Sequence, residues 1–358
     1  MSGYTTIRAD HIFSPFKKCT AKKILLLNNG IIENISDSPP VHQGMRHIDF
    51  TGFVVSPLFC DYHLHFSVSA LAASHRTSEV LLQNGIYRVC EGGDSLLSGL
   101  EMKKLFKGKL EVRTSGYAIY KKGTYGKAIG KGVEGLLEAR GIIDQFKKLG
   151  VDYIKIINSG IFKPDTGQIT PGGFEREELE GIVHYAKERG LDVFCHANGA
   201  GKVHEAVSAG VSAIVHGLYI SDGTLEMMAD KKIALIPTLN AFAGLSSITS
   251  DPKIKRDVAK AVEGHLLSVK KAADMGVKVL PGSDSGPHFI PYGKAYHEEL
   301  GLFNRAGLSE EYILSSAVVN QFREGMRADF LVLKGLEIKE VFIQGESLKE
   351  EYYPKLSC

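Results

Sequence analysis

The chain has 358 residues, of which 44% are hydrophobic and 23% charged, and its formal net charge is +2. These values are typical of an ordinary globular protein, and the lysine pairs are scattered rather than gathered in a basic track, so we expect no nucleic-acid partner. The five cysteines lack Cys-x-x-Cys spacing, no apolar run approaches the roughly 18 residues of a membrane span, and the N-terminus lacks the order of a signal peptide. We therefore expect a cytoplasmic protein with no disulfide framework and no membrane partner.

Both ends of the chain are predicted to form strands. The run from Ile24 to Ile32 has two apolar stretches around Asn28-Asn29-Gly30, which is the pattern of a β-hairpin. Residues 328–347 repeat the order of strand, polar break and strand. We expect residues 1–55 and 322–358 to form one small, discontinuous β-sandwich domain from both chain termini.

Short β-rich runs alternate with helical segments across residues 56–321. Gly150, Gly190 and Gly210 each follow a helical stretch, where a glycine C-cap is expected. Eight strand–helix units over about 270 residues predict an α/β fold, a (β/α)8 TIM barrel. The strand candidates are Phe53–Pro57, Ile86–Cys90, Leu110–Thr114, Asp152–Ile157, Asp192–His196, Ala213–His216, Ala234–Thr238 and Val277–Pro281, and the principal helical segments are Gly132–Leu149, Glu175–Arg189 and Lys253–Met275.

Metal-capable side chains recur where these strands end. Catalytic groups of a parallel barrel lie at the C-terminal ends of its strands, and alternate residues of a strand point the same way. A single histidine there is more often structural, and a lone His-x-His pair is weak evidence. The shared position of several such residues instead predicts a metal site. Its candidate ligands are His63, His65, His196, His216 and Asp284.

Lys155 lies among isoleucines in the fourth predicted strand. Burying an unpaired ammonium is costly and lowers its pKa, and a neutral amine can add carbon dioxide to form a carbamate. Taken alone, Lys155 is more simply an ordinary lysine that reaches solvent or pairs with an acid. Beside the histidines and Asp284, we expect a carboxylated lysine that bridges two cations.

The run from Asp152 to Leu239, DYIKIINSG through IALIPTL, resembles the amidohydrolase superfamily, in the branch of imidazolonepropionase-like proteins and metal-dependent Xaa-Pro dipeptidases (prolidase-like). The resemblance implies two divalent ions, zinc by family habit. His63, His65 and Asp284 would hold one ion and His196 and His216 the other, with carboxylated Lys155 between them. Two features depart from the family: Pro57-Leu58 stands where a Pro-Gly pair is usual, and the link from Asn320 to Arg327 is short.

The resemblance implies a binuclear hydrolase that cleaves an amide bond of a small peptide-like (Xaa-Pro dipeptide) or N-acyl amino acid substrate through a metal-bridging hydroxide. Asp284 would be both a ligand and the general acid–base. Tyr120, Tyr219 and His288, which follow the third, sixth and eighth strands, are candidate substrate contacts, although each tyrosine is at least equally well explained as a packed loop residue. The partner would be a small molecule, and a homo-oligomer is compatible with the family.

Three other functions remain open. A cyclic amidohydrolase or deaminase would act on an imidazolone- or pyrimidine-type ring with one metal ion, but Lys155 argues against it. A lactonase would use the same hydroxide on an ester. A non-catalytic protein on an old enzyme fold would tend to lose ligands, whereas none is missing here.

Overall fold

The structure is a computed structural model, and it describes residues 3–15, 24–66 and 75–348. Cys19 and Cys358 lie outside the described residues, whereas Cys60, Cys90 and Cys195 are buried free thiols. The strands are Tyr4–Ile12, Ile24–Asn28, Ile31–Ser36, Arg46–Pro57, Phe59–Leu64, Ile86–Glu91, Glu111–Thr114, Ala118–Lys121, Gly130–Val133, Tyr153–Ile157, Phe162–Lys163, Gln168–Ile169, Asp192–Ala197, Ala213–His216, Ala234–Ile236, Phe330–Lys334, Glu337–Ile343 and Glu346–Ser347. The helices are His75–Gln83, Ser98–Leu105, Leu136–Leu149, Arg176–Glu188, Ala200–Ala209, Asp222–Lys231, Leu239–Gly244, Pro252–Asp274, Lys294–Arg305 and Glu310–Ala317, with a 3-10 turn at Leu245–Ile248.

The chain divides into two compact units. The terminal unit contains residues 1–60, 79–87 and 310–358, and the central unit contains residues 61–78 and 88–309. Within the described residues, no helix is both long and apolar enough to cross a membrane.

The terminal unit is built on one seven-stranded sheet that joins both ends of the chain. Phe330–Lys334 pairs antiparallel with Arg46–Pro57, which pairs in parallel with Tyr4–Ile12. The predicted hairpin is confirmed: Ile24–Asn28 pairs antiparallel with Ile31–Ser36. Apolar side chains from the two ends of the chain pack into a single buried cluster. Burial of this shared face holds the two termini in one sheet.

Three of the predicted elements differ from the structure by more than two residues or in their assignment. Phe53–Pro57, expected as the first barrel strand, belongs to Arg46–Pro57 of the terminal sheet, and a separate strand, Phe59–Leu64, precedes the His-x-His pair. Because only Leu58 separates the two strands, the sequence shows one continuous apolar run with no signal for the end of the first strand. The helix expected from Gly132 begins at Leu136, because Gly130–Val133 is a strand.

The third element that differs is Val277–Pro281, which is not a regular strand. Val279 alone forms a bridge, which is parallel to Leu235. Backbone hydrogen bonds nevertheless connect this segment on both sides, since Leu280 N–H donates to Leu235 O and Tyr62 N–H donates to Pro281 O. The segment therefore occupies a strand position between two neighbours.

Parallel strand pairing organises the central unit. Tyr153–Ile157, Asp192–Ala197, Ala213–His216 and Ala234–Ile236 pair in sequence order. A second sheet has the order Phe59–Leu64, Ile86–Glu91, Glu111–Thr114. Parallel pairing brings the C-terminal ends of these strands to one edge, where ligands of α/β folds bind.

The interior of the central unit places the candidate residues above an apolar layer. Tyr153 and Phe194 belong to one buried cluster to which Cys90, Ile236 and Leu280 also contribute. Because side chains two residues apart share one side of a strand, Lys155 follows Tyr153 and His196 follows Phe194 on that same side. The polar group therefore lies one layer nearer the C-terminal ends of the strands.

Candidate metal centre

Four histidines and one aspartate meet at the C-terminal ends of the central strands. The Nε2 atoms of His63 and His65 lie 3.4 and 3.6 Å from Asp284 Oδ1. Ring centroids are 5.7 Å apart for His63 and His216, and 4.5 Å apart for His196 and His216. One ligand atom each from His63, His216 and Asp284 lie within 4.8 Å of one another. This is a suitable donor set for a divalent cation.

Lys155 shares the cavity with these five side chains. It is 1% exposed, and its Nζ has no hydrogen-bond partner among the described residues. Its positive charge contributes to lowering the pKa of each of the four histidines. Burying an amine without a hydrogen-bond partner is costly. No hydrogen bond from the described residues offsets that cost at Lys155 Nζ.

Hydrogen bonds to backbone carbonyls fix the orientation of two of the histidine rings. His65 Nδ1 lies 3.0 Å from Gly93 O, and His196 Nε2 lies 3.0 Å from Gly160 O. Because a carbonyl oxygen only accepts, these two nitrogens carry the N–H, which leaves lone pairs on His65 Nε2 and His196 Nδ1. Such outer hydrogen bonds are typical of metal-ligating histidines.

Burial keeps the histidines neutral. It lowers the pKa of His196 to about 3 and the pKa values of His63 and His216 well below the ordinary value. Burial also lowers the pKa of Lys155 to about 8, although the negative charge of Asp284 opposes that change. Burial raises the pKa of Asp284, which the charges of His65 and Lys155 oppose. Neutral imidazole is the form that binds metals.

Asp61 supports the site from beneath. Its buried carboxylate accepts hydrogen bonds from the backbone N–H of His63, at 3.1 Å, and of Ser283, at 2.9 Å. The Ser283 hydroxyl donates to the same carboxylate. Asp61 thus connects the strand that carries the His-x-His pair with the segment that carries Asp284.

The backbone is strained at two candidate ligands. His216 has a φ of 73° and Asp284 a φ of 54°, in the left-handed region that non-glycine residues rarely adopt. Gly92 lies against the histidine pair: a Cβ added there would be 2.5 Å from His63 Cε1 and 2.7 Å from His65 Cε1. Strained residues and close approaches of this kind cluster at functional sites.

The six side chains face a cavity of about 260 Å³, most of whose other walls are apolar. Its lining consists of His63, His65, Tyr125, Ile129, Lys155, Ile161, Phe162, His196, Asn198, His216, Ala241, Phe242, Leu245, Asp284, Pro287, Phe289 and Ile290. A cavity with convergent polar groups at one end and apolar walls is the usual form of a small-molecule site.

The three predicted substrate contacts are not among these lining residues. Tyr120 is buried in a small apolar cluster. The Tyr219 hydroxyl donates to Gly167 O at 2.9 Å, and His288 contacts the ring of Phe289. Their roles in substrate binding stay predictions.

Sequence reasoning missed two polar residues of the cavity, Tyr125 and Asn198. Asn198 stands two residues after His196, and this spacing could have marked it as facing the same way. Tyr125 follows the strand Ala118–Lys121 in a loop that has no periodic pattern, so no sequence signal pointed to it.

Comparison with known proteins places this site in a family. Residues 54–348 match the amidohydrolase family. The chain belongs to the amidohydrolase family. The resemblance read from the sequence is thereby confirmed, and the expected class, hydrolases of carbon–nitrogen bonds, is that of the family. The family implies a metal cofactor, and the chain has a group of side chains that could hold one.

The chain is also similar to solved structures. A Xaa-Pro dipeptidase with methionine bound in its active site has a TM-score of 0.78 and 22% identity, over 96% of this chain and 99% of that one. A prolidase complexed with N-methylphosphonate-L-proline has a TM-score of 0.75 and 22% identity, over 97% of this chain and 99% of that one. An ochratoxinase of A. niger has a TM-score of 0.76 and 20% identity, over 97% of this chain and 96% of that one. At these identities the similarity concerns the fold.

Curated relatives cover less of the chain. Uncharacterized proteins of Mycobacterium tuberculosis and Mycobacterium bovis are 24% identical over 175 residues, which is 47% of this chain. The match spans about half, 45%, of the length of these relatives.

Proposed function

We propose that this protein is a metal-dependent amidohydrolase that cleaves an amide bond in a small peptide-like or N-acylated substrate. The buried amine of Lys155, with no hydrogen-bond partner among the described residues, carries the proposal because it lies beside four neutral histidines and Asp284. A carbamate on Lys155 would turn this costly amine into a bridging ligand. The folds of the similar dipeptidase and prolidase support the peptide-like substrate.

We also propose that the central strands close into a (β/α)8 barrel, with residues 56–321 as its domain and residues 1–55 and 322–358 as a β-sandwich. Hydrogen bonds between Asp152 and Thr114, and those on both sides of Val277–Pro281, support closure because they connect the two parallel sheets. The apolar cluster shared by most of these strands supports it as well.

The residues have separate tasks in the proposed reaction. His63, His65 and Asp284 would hold one divalent ion, and His196 and His216 would hold a second. Carboxylated Lys155 would be a ligand of both ions. When bound, such ions, zinc by family habit, polarise a carbonyl and lower the pKa of water. Asp284, the most exposed of the candidate ligands, would take a proton from the attacking water and deliver it to the leaving nitrogen.

Metal content and carbamate formation test this proposal together. We expect zinc-loaded protein to contain two ions per chain by elemental analysis and, with labelled bicarbonate, to give a carbamate signal in ¹³C NMR. Lys155→Met should lose this signal, at least one ion and hydrolysis of a library of dipeptides, N-acyl amino acids and amides without a carboxylate. Lys148→Met, at an exposed position of Leu136–Leu149, is the matched control and should keep all three.

Other outcomes would redirect the assignment. One ion per chain in fully active protein would favour the one-metal ring hydrolase, and turnover confined to esters would favour a lactonase. Two bound ions without a carbamate signal would contradict the role of Lys155.

A further inference from the structure

The cavity has an apolar wall, and three of its aromatic side chains come from separate segments of the chain. Phe162 follows the strand that carries Lys155, Phe242 lies in Leu239–Gly244, and Phe289 follows Asp284. Phe242 connects the wall to the candidate metal centre, since its ring centroid is 6.0 Å from that of His216 and 6.2 Å from that of Phe162. An apolar group of the substrate would therefore pack directly beside the ligands.

Among the residues that the structure describes, the polar side chains that line the cavity, apart from the candidate ligands, are Tyr125 and Asn198. Asn198 is 3% exposed, and its Oδ1 accepts the backbone N–H of Leu218 at 3.0 Å. Because that partner is a donor, the oxygen end of the amide is committed and the NH₂ end is left to donate. Tyr125, whose ring lies 5.6 Å from that of His196, adds a hydroxyl. Both groups can donate a hydrogen bond to a carbonyl oxygen of the substrate, and neither carries a positive charge.

In the part of the chain that the structure describes, this wall offers no side-chain cation to a substrate carboxylate apart from Lys155. Among the described residues that line the cavity, Lys155 is the one Lys or Arg. Two lysines that lie four residues from Tyr125 or Asn198 in the sequence have partners elsewhere: Lys202 donates to Phe174 O and Glu205, and Lys121 donates to Glu178.

We propose, on the basis of the proposed amidohydrolase function, that this site selects substrates whose groups on both sides of the scissile amide are uncharged and apolar. A carboxylate against this wall would lose its hydration without gaining a cation or a sufficient set of donors, which is costly. Within the peptide-like class, the preferred substrates are then amides that lack a free carboxylate, rather than free dipeptides or N-acyl amino acids.

Two compounds that differ by one carboxylate test this inference: 3-phenylpropanoyl-pyrrolidine and 3-phenylpropanoyl-proline. Each has a single amide bond, in the same position. With zinc-loaded protein, we expect kcat/KM for the pyrrolidine amide to exceed that for the proline amide by about 10-fold or more. Equal or faster cleavage of the proline compound would overturn the inference and leave the amidohydrolase function standing.

If neither compound is cleaved, the proposed function fails for these amides and titration calorimetry of the intact pair decides the inference. Tighter binding of the pyrrolidine amide would support it. Tighter binding of the proline compound, or no binding of either, would overturn it.

A variant provides a second, independent test of the inference. Leu245 lines the cavity and is half-buried, so a long cationic side chain can be accommodated there. We expect Leu245→Arg to shift the kcat/KM ratio of the pair toward the proline compound by about 10-fold. Leu245→Met should keep the wild-type ratio, whatever its overall rate. An unchanged ratio in Leu245→Arg would contradict the role given to the wall.

Discussion

At the scale of single residues, a hydrogen bond fixes one ring nitrogen in each of two candidate ligands, His65 and His196. His65 and His196 each donate one N–H to a backbone carbonyl, of Gly93 and Gly160, and so present the other nitrogen to the site. The two carbonyls belong to loops after different strands, so the tautomer of each histidine depends on a neighbouring strand and not on its own.

Asp284 is the residue whose replacement should separate chemistry from metal binding. We expect Asp284→Asn to keep most of the bound metal, because an amide oxygen can still ligate, and to lower kcat by about 100- to 10,000-fold, because an amide cannot accept the proton. Elemental analysis and steady-state kinetics on one preparation provide the comparison.

The control for this variant is Asp274→Asn, at the exposed end of Pro252–Asp274, which should change neither quantity. Full turnover in Asp284→Asn would remove Asp284 from the role of general acid–base.

At the scale of elements, one helix caps another. The N-cap residue of Leu239–Gly244 is Thr238, whose side chain makes no capping hydrogen bond and instead pairs with His216 Nδ1 at 2.6 Å. Glu299, fully buried in Lys294–Arg305, accepts the N–H groups of Leu239 and Asn240 in its place. The Thr238 hydroxyl can therefore pair with His216, because the Glu299 carboxylate accepts the N–H groups at the start of the helix.

Loss of this cap should destabilise the fold. We expect Glu299→Ala to lower the free energy of unfolding by about 1–3 kcal/mol, because two buried N–H groups would lose their acceptor. Urea unfolding followed by circular dichroism measures the difference. Glu298→Ala, which removes only a partly exposed pair with Lys294, should stay within about 0.5 kcal/mol of wild type. Equal effects of the two variants would show that the cap contributes nothing.

At the scale of the whole molecule, the candidate ligands come from five segments between residues 63 and 284. Ions that bind this arrangement bind the native state and not the unfolded chain, so they stabilise the fold. We expect chelation to lower the melting temperature and reloading to restore it. A stabilisation of about 3–4 kcal/mol corresponds to free metal at 100 to 1,000 times Kd.

Thermal unfolding with and without chelator checks this expectation. His63→Ala is the comparison, since its melting temperature should respond less to the chelator than that of the wild type. Identical melting temperatures for wild-type protein in both conditions would mean that the ions do not bind the folded chain preferentially.

Prediction from sequence succeeded where the signal was local. The hairpin from Ile24 followed from a two-residue turn between apolar runs, and Asn29 and Gly30 do have positive φ angles. Gly150 and Gly210 end their helices in the left-handed conformation, as expected of C-caps. The break at Leu58 was missed because two adjacent strands give one continuous apolar run.

By itself, the sequence determined which residue types stand at the ends of the central strands, because strand direction and side-chain alternation are local properties with a period of two residues. It therefore indicated His63, His65, Lys155, His196, His216 and Asp284 as a group. The tertiary structure alone decided what surrounds them: the apolar wall around Phe242, the donors Tyr125 and Asn198, and the cap from Glu299. These contacts join residues far apart in the chain, and no local pattern encodes which loops will meet over a cavity.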